Sequence, residues 1–349
     1  MKFGLHYQLP CSATQSAVQR YRDTIEQAVH AEAVGFESVW PVEQHFNPDL
    51  SILPAPLLLL AAIAERTRSL RLGVAIVLLP LSHPLRVAEE IATLDVLSNG
   101  RVEFGIGRGA IPSHFSGFGI SQAESRDRMF EELEIIQRAW TGERLSYHGR
   151  FFNVDNLSVV PRPVQQPHPP IRFAANSIDT FELMGRMGHP IFAAAQVNPI
   201  PRLREFVPLY RNARKAAGLS GDDPEDLTIL LPLYVGESQA QIRAELEPSI
   251  QHFIQTATML FQGQDSRGGG AAHVRKVLER ARRLTYEKVS EVMGIFDTPE
   301  RCVERLAQLQ QEFNMGRVIC WFNPGGLVAH ERVMRSMELF AAEVMPRFA

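Results

Sequence analysis

The sequence contains few cysteines, and their spacing suggests neither a disulfide framework nor a metal site. Cys11, Cys302 and Cys320 are the three cysteines among 349 residues, and no two of them form a C-x-x-C pair. Small folds that rely on disulfides have more cysteines at closer spacing. We therefore expect free thiols in a reducing compartment and no bound metal.

An excess of positive charge and long apolar segments are also missing. The chain has 36 Lys and Arg against 39 Asp and Glu, and its formal net charge is -3 at pH 7. This balance provides no basic stripe for nucleic acid and no polybasic patch for a membrane. The apolar run at residues 52–64 is shorter than the roughly 20 residues that cross a bilayer, and the first residues lack the apolar core of a signal peptide. The sequence predicts a cytoplasmic protein with no nucleic-acid or membrane partner.

The chain shows a regular alternation of short β-type runs with amphipathic helical stretches. Such alternation is typical of an α/β fold with a parallel sheet, and about eight repeats predict a (β/α)8 TIM barrel. No break in composition argues for a second domain, so we expect a single domain over residues 1–349. The candidate strands are Lys2–Tyr7, Ser38–Trp40, Leu72–Leu79, Val102–Ile106, Ile171–Ala175, Ile191–Ala195, Thr228–Val235 and Arg317–Phe322.

Three insertions exceed a minimal barrel, near residues 109–121, 144–170 and 262–284. In the second, Gly149 lies between Tyr147 and Phe152 and predicts a β-hairpin, which a Pro-rich connector follows. The third contains three consecutive glycines at 268–270 and predicts a long mobile loop. Long loops at the C-terminal face of a barrel often serve as lids, so we expect these insertions at that face.

The segment Glu43-Gln44-His45 directly follows a short apolar run that is a candidate strand. The C-terminal end of a barrel strand is where catalytic groups are normally placed, and this segment offers a carboxylate, an amide and an imidazole. A solvated loop of ordinary polar residues explains the segment equally well. The pattern alone leaves both interpretations open.

Two further segments are candidates for binding an anion or a flat ring. Gly105 to Gly109 includes Arg108, which can clamp a phosphate or carboxylate, although a glycine-rich turn explains the pattern without a ligand. The spacing is not the dinucleotide-binding G-x-G-x-x-G motif. Ala174 to Thr180 leads into a predicted helix whose N-terminus can hold a phosphate, with a simple N-cap at Ser177 as the alternative.

Ala75, beside Ile76, can let a flat ring lie against the strand, although core packing explains both residues without a ligand. His83, which precedes Pro84, is expected to begin a helix rather than to act as a catalyst.

In this order, the segments resemble the bacterial luciferase-like family of flavin-dependent monooxygenases. No single segment is decisive, but the ordered set is specific and extends over nearly the whole chain. The matching segments are Met1-Lys2-Phe3-Gly4, Gly35 to Trp40, Glu43 to Phe46, Val77 to Pro80 with His83-Pro84, Leu94-Asp95, Ser98 to Arg101, Phe104 to Gly109, Thr298-Pro299-Glu300, and the tail from Ser336 to Pro346.

The resemblance implies a (β/α)8 barrel that binds reduced FMN (FMNH2) at its C-terminal mouth. It implies reaction with O2 to a C4a-hydroperoxyflavin and oxygenation of a small or medium hydrophobic organic substrate, with the flavin supplying the difficult chemistry. A separate NAD(P)H:flavin reductase would then supply FMNH2. Relatives usually form homodimers through helices on the side of the barrel, and the helical stretches at residues 52–64 and 87–97 are apolar enough to do so.

The resemblance also implies which residues bind the cofactor. Arg108, Arg126, Ser177 and Thr180 match phosphate-binding positions, while Asn176 stands where the family often has an acid. Ala75 and Ile76 match a pair that relatives join by a cis peptide bond beneath the flavin ring. The complete implied set is Ala75, Ile76, Gly107, Arg108, Arg126, Ala174, Asn176, Ser177 and Thr180.

Glu43, Gln44 and His45 are the implied catalytic residues, with one departure from the family pattern. Luciferases have two histidines after the acidic residue and the first is important for catalysis, whereas this chain has Gln44 there. Glutamine exchanges hydrogen bonds but does not shuttle a proton near neutral pH. Acid and base chemistry would then fall to His45. A deazaflavin (F420)-dependent oxidoreductase, a flavin-binding protein with little turnover and an unrelated phosphosugar barrel remain the alternatives.

Overall fold

The computed structural model describes residues 1–11, 15–262 and 284–349. They form two compact units, which we call the terminal unit (Met1–Phe36, Asn47–Ile52 and Ala175–Ala349) and the central unit (Glu37–Phe46 and Leu53–Ala174). Most of the third predicted insertion, residues 263–283, lies outside the described residues. The expectation of a single domain stays a prediction.

The strands of the described residues are β1 (Lys2–Tyr7), β2 (Ser38–Pro41), β3 (Arg71–Gly73), β4 (Val77–Leu78), β5 (Val102–Gly107), β6 (Leu145–His148), β7 (Asn153–Leu157), β8 (Ile171–Ala174), β9 (Ile191–Ala194), β10 (Leu227–Val235), β11 (Ile295–Asp297) and β12 (Arg317–Trp321). The helices are α1 (Ala17–Ala33), α2 (Pro56–Arg66), α3 (Pro84–Leu97), α4 (Pro112–Phe118), α5 (Ser125–Thr141), α6 (Ile178–Met187), α7 (Ile200–Ala216), α8 (Gln239–Gln262), α9 (Tyr286–Val292), α10 (Pro299–Phe313) and α11 (His330–Leu339). Short 3-10 turns occupy Leu79–Leu81, Gln122–Glu124, Pro224–Asp226 and Met345–Phe348, and a π-helical turn occupies Phe340–Val344.

In the central unit, four parallel neighbours run in the order β2, β3, β5, β8, and β4 also pairs with β5. In the terminal unit, β10 pairs in parallel with β9, β11 and β12, and β12 pairs with β1. These strands are almost entirely buried, as expected for parallel strands covered on both faces. We count β3 and β4 as one broken strand and β11 as an addition. The eight barrel strands are then β1, β2, β3 with β4, β5, β8, β9, β10 and β12, and the fold is the (β/α)8 barrel predicted from the sequence.

The predicted third strand, Leu72–Leu79, is interrupted. Gly73 lies opposite Glu103, and Val77 lies opposite Ile106. Four steps along one strand therefore match three steps along the other, which leaves one extra residue as in a β-bulge. A continuous apolar run carries no signal for such an insertion, so the sequence prediction of one long strand was wrong.

The helix and insertion predictions had mixed outcomes. His83 is the N-cap of α3, and its Nδ1 accepts a hydrogen bond from the backbone N–H of Leu85 at 3.3 Å, as predicted. The predicted hairpin is β6 and β7, with Gly149 between them. The predicted buried helix at residues 52–64 begins at Pro56. Residues 109–121 contain the helix α4, which the sequence analysis did not predict.

Buried ion pairs fix neighbouring strands of the central unit. Oε1 of Glu103 accepts a hydrogen bond from Nε of Arg71 at 2.7 Å, and its Oε2 accepts from Nε of Arg172 at 3.1 Å. Glu103 is 2% exposed. A carboxylate so deeply buried is stable only with cationic partners, so it holds β3, β5 and β8 in register. Among the described residues no helix is long and apolar enough to cross a membrane.

Candidate active site

Strand ends of the central unit bring several of the predicted residues to one edge. Glu43 follows β2, Ile76 precedes β4, Gly107 ends β5 and Ala174 ends β8. Because these strands are parallel neighbours, their C-terminal ends meet at the same edge, where barrel active sites lie. The predicted strand ended at Ile106, whereas β5 continues through Gly107, and Arg108 is the first residue beyond it.

The carboxylate of Glu43 links His45 to the strand β4. His45 Nε2 lies 2.8 Å from Glu43 Oε1, and Glu43 Oε2 accepts a hydrogen bond from the backbone N–H of Leu78 at 3.0 Å. Glu43 is buried, and the side chain of His45 is 10% exposed. A carboxylate in this position orients an imidazole through their hydrogen bond.

Gln44 lies between these two residues and takes no part in their contact. Its backbone N–H donates to the carbonyl of Leu53 at 3.0 Å. Its side-chain Oε1 is buried without a hydrogen-bond partner among the described residues. Gln44 therefore provides an acceptor, and its amide has no proton to exchange near neutral pH.

His114, on α4, belongs to the same cluster and was missed by the sequence analysis. Its Nε2 accepts a hydrogen bond from the backbone N–H of His45 at 3.4 Å, and the two rings meet edge to face with centroids 5.4 Å apart. Phe118 contacts His45 from the same helix at 4.9 Å between centroids. A histidine in an insertion with no strand or motif signal beside it gave no indication of this contact.

Burial, together with the nearby charge of His45, lowers the pKa of His114 to about 4. His114 is 2% exposed, so its charged form would lose nearly all its hydration. Its imidazole is therefore neutral near pH 7.

An apolar floor is formed by Ile76, Gly107 and Ala174. A Cβ at Gly107 would lie 2.2 Å from Ile76 Cδ1 and 3.3 Å from Ala174 Cβ, so only glycine lets Ile76 occupy this place. The peptide bond between Ala75 and Ile76 is cis. Ile76 also packs against a buried cluster that includes Leu78 and Phe115. Such a floor can hold a flat ring against the strand ends.

The two predicted basic residues differ in environment. Arg108 is exposed at the end of β5. Arg126 is half-buried in the first turn of α5, and its guanidinium makes no hydrogen bond or ion pair with residues 1–11, 15–262 or 284–349. A half-buried guanidinium with no partner in the described part of the chain is suited to binding a phosphate with parallel hydrogen bonds.

Asn176, Ser177 and Thr180 lie in the terminal unit around the start of α6. Ser177 is the N-cap residue, but its side chain does not cap the helix; its hydroxyl lies 2.9 Å from the Thr180 hydroxyl instead. Ser177 is therefore the N-cap predicted from the sequence, but without a capping hydrogen bond from its side chain. Asn176 is exposed, and its carbonyl accepts a hydrogen bond from Asn198 Nδ2 at 3.3 Å. The hydroxyls of Ser177 and Thr180 are suited to bind an anion at a helix N-terminus.

A family model described as luciferase-like monooxygenase matches residues 1–313. The chain belongs to this family. The luciferase-like monooxygenases are enzymes, and the family assignment made from the ordered segments is confirmed. An uncharacterized protein, y4wF of Sinorhizobium fredii, is 35% identical over 264 residues, which are 75% of each chain.

Two further comparisons concern proteins with stated activities. The oxygenase component of a flavin-dependent trigonelline monooxygenase from Acinetobacter baylyi is 27% identical over 100% of this chain and 96% of that relative. The solved structure of the oxygenating constituent of 3,6-diketocamphane monooxygenase from Pseudomonas putida, in complex with FMN, has a TM-score of 0.84 at 19% identity. It covers 99% of this chain and 98% of that chain. Its likeness confirms the fold of this luciferase-like monooxygenase.

Proposed function

We propose that this enzyme is the oxygenase component of a two-component system that uses FMNH2 and O2 to oxygenate a small or medium hydrophobic organic molecule. The observation that carries the proposal is the Glu43–His45 pair, joined through Leu78 to the strand β4, which Ile76 directly precedes. The pair offers an acid and base group beside an apolar floor at the C-terminal strand ends, which supports this proposal. The family and the Acinetobacter relative's description as a flavin-dependent oxygenase component support it.

The residues of the central unit fit a flavin. Ile76, Gly107 and Ala174 offer an apolar surface for the ring, and the missing Cβ of Gly107 keeps that surface flat. Gln44 Oε1, a buried acceptor without a hydrogen-bond partner among the described residues, is suited to a donor of the ring or of the substrate. When bound, reduced FMN supplies the electrons that activate O2. FMN in the Pseudomonas structure supports the choice of this flavin.

The basic and hydroxyl side chains suit the phosphate of FMN. In the central unit we assign this role to Arg108 and Arg126. In the terminal unit we propose the hydroxyls of Ser177 and Thr180 as anion-binding groups, with Asn176 as a neutral neighbour. Arg126 is the best supported of them because it has no other partner among the described residues. Flavin lacking the phosphate, riboflavin, should accordingly bind more weakly than FMN.

We assign proton handling to His45, with Glu43 as its orienting carboxylate. Phe46 and Phe118 are 63% and 44% exposed and lie against the His45 ring, at 5.6 and 4.9 Å between centroids. These exposed aromatic rings can contact an apolar substrate and exclude water next to the imidazole. This environment supports a hydrophobic substrate rather than a charged one.

The partners follow from the same proposal. The described residues include no dinucleotide-binding motif, so a separate NAD(P)H:flavin reductase would deliver FMNH2. We also propose a homodimer that pairs through α2 and α3, where Leu58, Val96 and Leu97 are exposed.

The test combines the enzyme with a flavin reductase, NADH, FMN and 18O2, and screens ketones, aldehydes and aromatic compounds. A product that carries a single 18O atom and requires both FMNH2 and the enzyme would support the proposal. Consumption of O2 with hydrogen peroxide as the sole product across the screen would contradict it. An equilibrium titration in which reduced F420 binds at least about tenfold more tightly than FMNH2 would favour the deazaflavin alternative instead.

A further inference from the structure

His114 is the group of this site that neither the motifs nor the comparisons assign. It is 2% exposed and lies on α4, inside an insertion of the barrel. Its contacts are the backbone N–H of His45 at 3.4 Å and the edge of the His45 ring at 5.4 Å between centroids. Both contacts are with the residue to which we assign proton handling.

The hydrogen bond determines which nitrogen of His114 carries the proton. The backbone N–H of His45 is a donor, so Nε2 must be the unprotonated acceptor, and a neutral ring then has its proton on Nδ1. Nδ1 is buried without a hydrogen-bond partner among the described residues. A buried donor without an acceptor destabilises the fold, so packing alone would favour an aromatic ring without nitrogen here.

The surroundings keep this ring neutral. The titratable group that faces His114 from the segment after β2 is His45, which in turn contacts Glu43. The 3-10 turn Leu79–Leu81, which also packs against α4, presents apolar side chains. Burial is the largest cause of the lowered pKa of His114, and the charge of His45 acts in the same direction. A positive charge on His45 thus favours a neutral His114.

We propose that His114 is a positioning residue, a neutral Nδ1–H imidazole that holds the backbone and the ring of His45 in place against Glu43. A second charged imidazole here would repel a protonated His45, whereas a neutral acceptor fixes the segment without changing its charge. The catalytic consequence rests on the proposed function, but the tautomer and the contact do not. His114 therefore acts through His45 and does not itself exchange the proton.

The test uses three variants of the full chain. His114→Phe keeps the ring shape and removes the acceptor, and His114→Gln restores an acceptor oxygen. His148→Gln is the matched control, because His148 is an exposed histidine in the β6–β7 hairpin. Histidine-labelled protein is titrated by 15N NMR, with signals assigned from their loss in each variant and, for His45, in His45→Ala. Steady-state kinetics and flavin affinity are measured in parallel.

We expect the His114 signal to show a neutral Nδ1–H ring from pH 6 to 8 and to protonate only below about pH 5. His45 signals should shift in His114→Phe and return toward wild type in His114→Gln. His114→Phe should unfold at an equal or higher temperature, yet lower kcat about tenfold or more with unchanged flavin affinity. His114→Gln should recover much of kcat, and His148→Gln should match wild type.

Protonation of His114 above pH 6, a proton on Nε2, or His45 signals that ignore His114→Phe would each overturn the proposal. Equal losses of kcat in His114→Phe and His114→Gln would also overturn it. The NMR results do not depend on turnover. If no substrate is oxygenated by the wild type, the proposed function fails, while the tautomer and the His45 contact remain decidable.

Discussion

His45 Nε2 and Glu43 Oε1 lie 2.8 Å apart, and both side chains are about nine-tenths buried. A buried contact of this length is stronger than an exposed one because little water screens it. The second oxygen of Glu43 is held by the backbone N–H of Leu78, so the carboxylate cannot rotate away without losing a hydrogen bond. Glu43 and His45 should therefore behave as one unit in catalysis.

We expect His45→Ala to lower kcat by about 10²–10⁴-fold, the usual contribution of general acid or base catalysis. Glu43→Gln should lower kcat less, because the amide still orients the ring without the negative charge. The double variant should be little worse than His45→Ala, since residues that act as a unit are not additive. Steady-state kinetics with an active substrate give all three values.

Gln44→Leu is the neighbouring control for this pair. It removes the amide but leaves the Glu43–His45 contact intact, so its kcat should fall less than that of His45→Ala. If Gln44→Leu is as inactive as His45→Ala, the assignment of proton handling to His45 is wrong.

Gly107→Ala should weaken flavin binding by filling the floor of the site. The new Cβ would meet Ile76 Cδ1 at 2.2 Å, so the end of the Ile76 side chain would have to move and the surface of the floor would change. Fluorescence titration with FMN should show a higher Kd. The double variant Gly107→Ala with Ile76→Ala removes the clash and should regain part of the affinity; equal Kd values for wild type and Gly107→Ala would exclude a ring at this floor.

The buried carboxyl group of Glu132, on α5, should make the free energy of unfolding depend on pH. It is 1% exposed, neither carboxylate oxygen has a hydrogen-bond partner among the described residues, and burial raises its pKa to about 9. The folded protein thus holds a proton that the unfolded chain releases above its ordinary pKa of 4.5. The free energy of unfolding should fall as pH rises between these values, by up to about 1.4 kcal/mol per pH unit.

Glu132→Gln keeps the shape and removes this ionisation. Urea unfolding at several pH values from 5 to 9 should show a weaker decline for Glu132→Gln than for wild type. Glu134→Gln, an exposed position on the same helix, serves as the control and should follow wild type. Parallel pH profiles for wild type and Glu132→Gln would show that Glu132 finds a partner in solution.

The proposed homodimer predicts a mass near twice the 39.2 kDa of the chain. Leu58 on α2 is 75% exposed, and Leu58→Glu should place a charge in the interface and shift sedimentation to the single-chain mass. Leu219→Glu changes a 40% exposed leucine in the terminal unit and should leave the mass unchanged. A single 39.2 kDa species for the wild type at micromolar concentration would remove the dimer from the proposal.

Features that depend on neighbouring residues could be predicted from the sequence. The alternation of strands and helices, the start of α3 at His83 and Pro84, and the hairpin around Gly149 all follow from local periodicity and turn chemistry. The position of Glu43 and His45 at the end of a strand was predicted in the same way. These patterns depend on a few neighbouring residues, so they indicate the local structure without knowledge of how the rest of the chain folds.

Features that depend on distant contacts required the tertiary structure. His114 meets His45 across 69 residues, and Glu43 meets Leu78 across 35. The extra residue between β3 and β4 exists only relative to β5. The sequence thus determined the fold class and the chemical groups at the strand ends, whereas packing decided which groups touch and which imidazole stays neutral, because burial and pairing are properties of the folded chain.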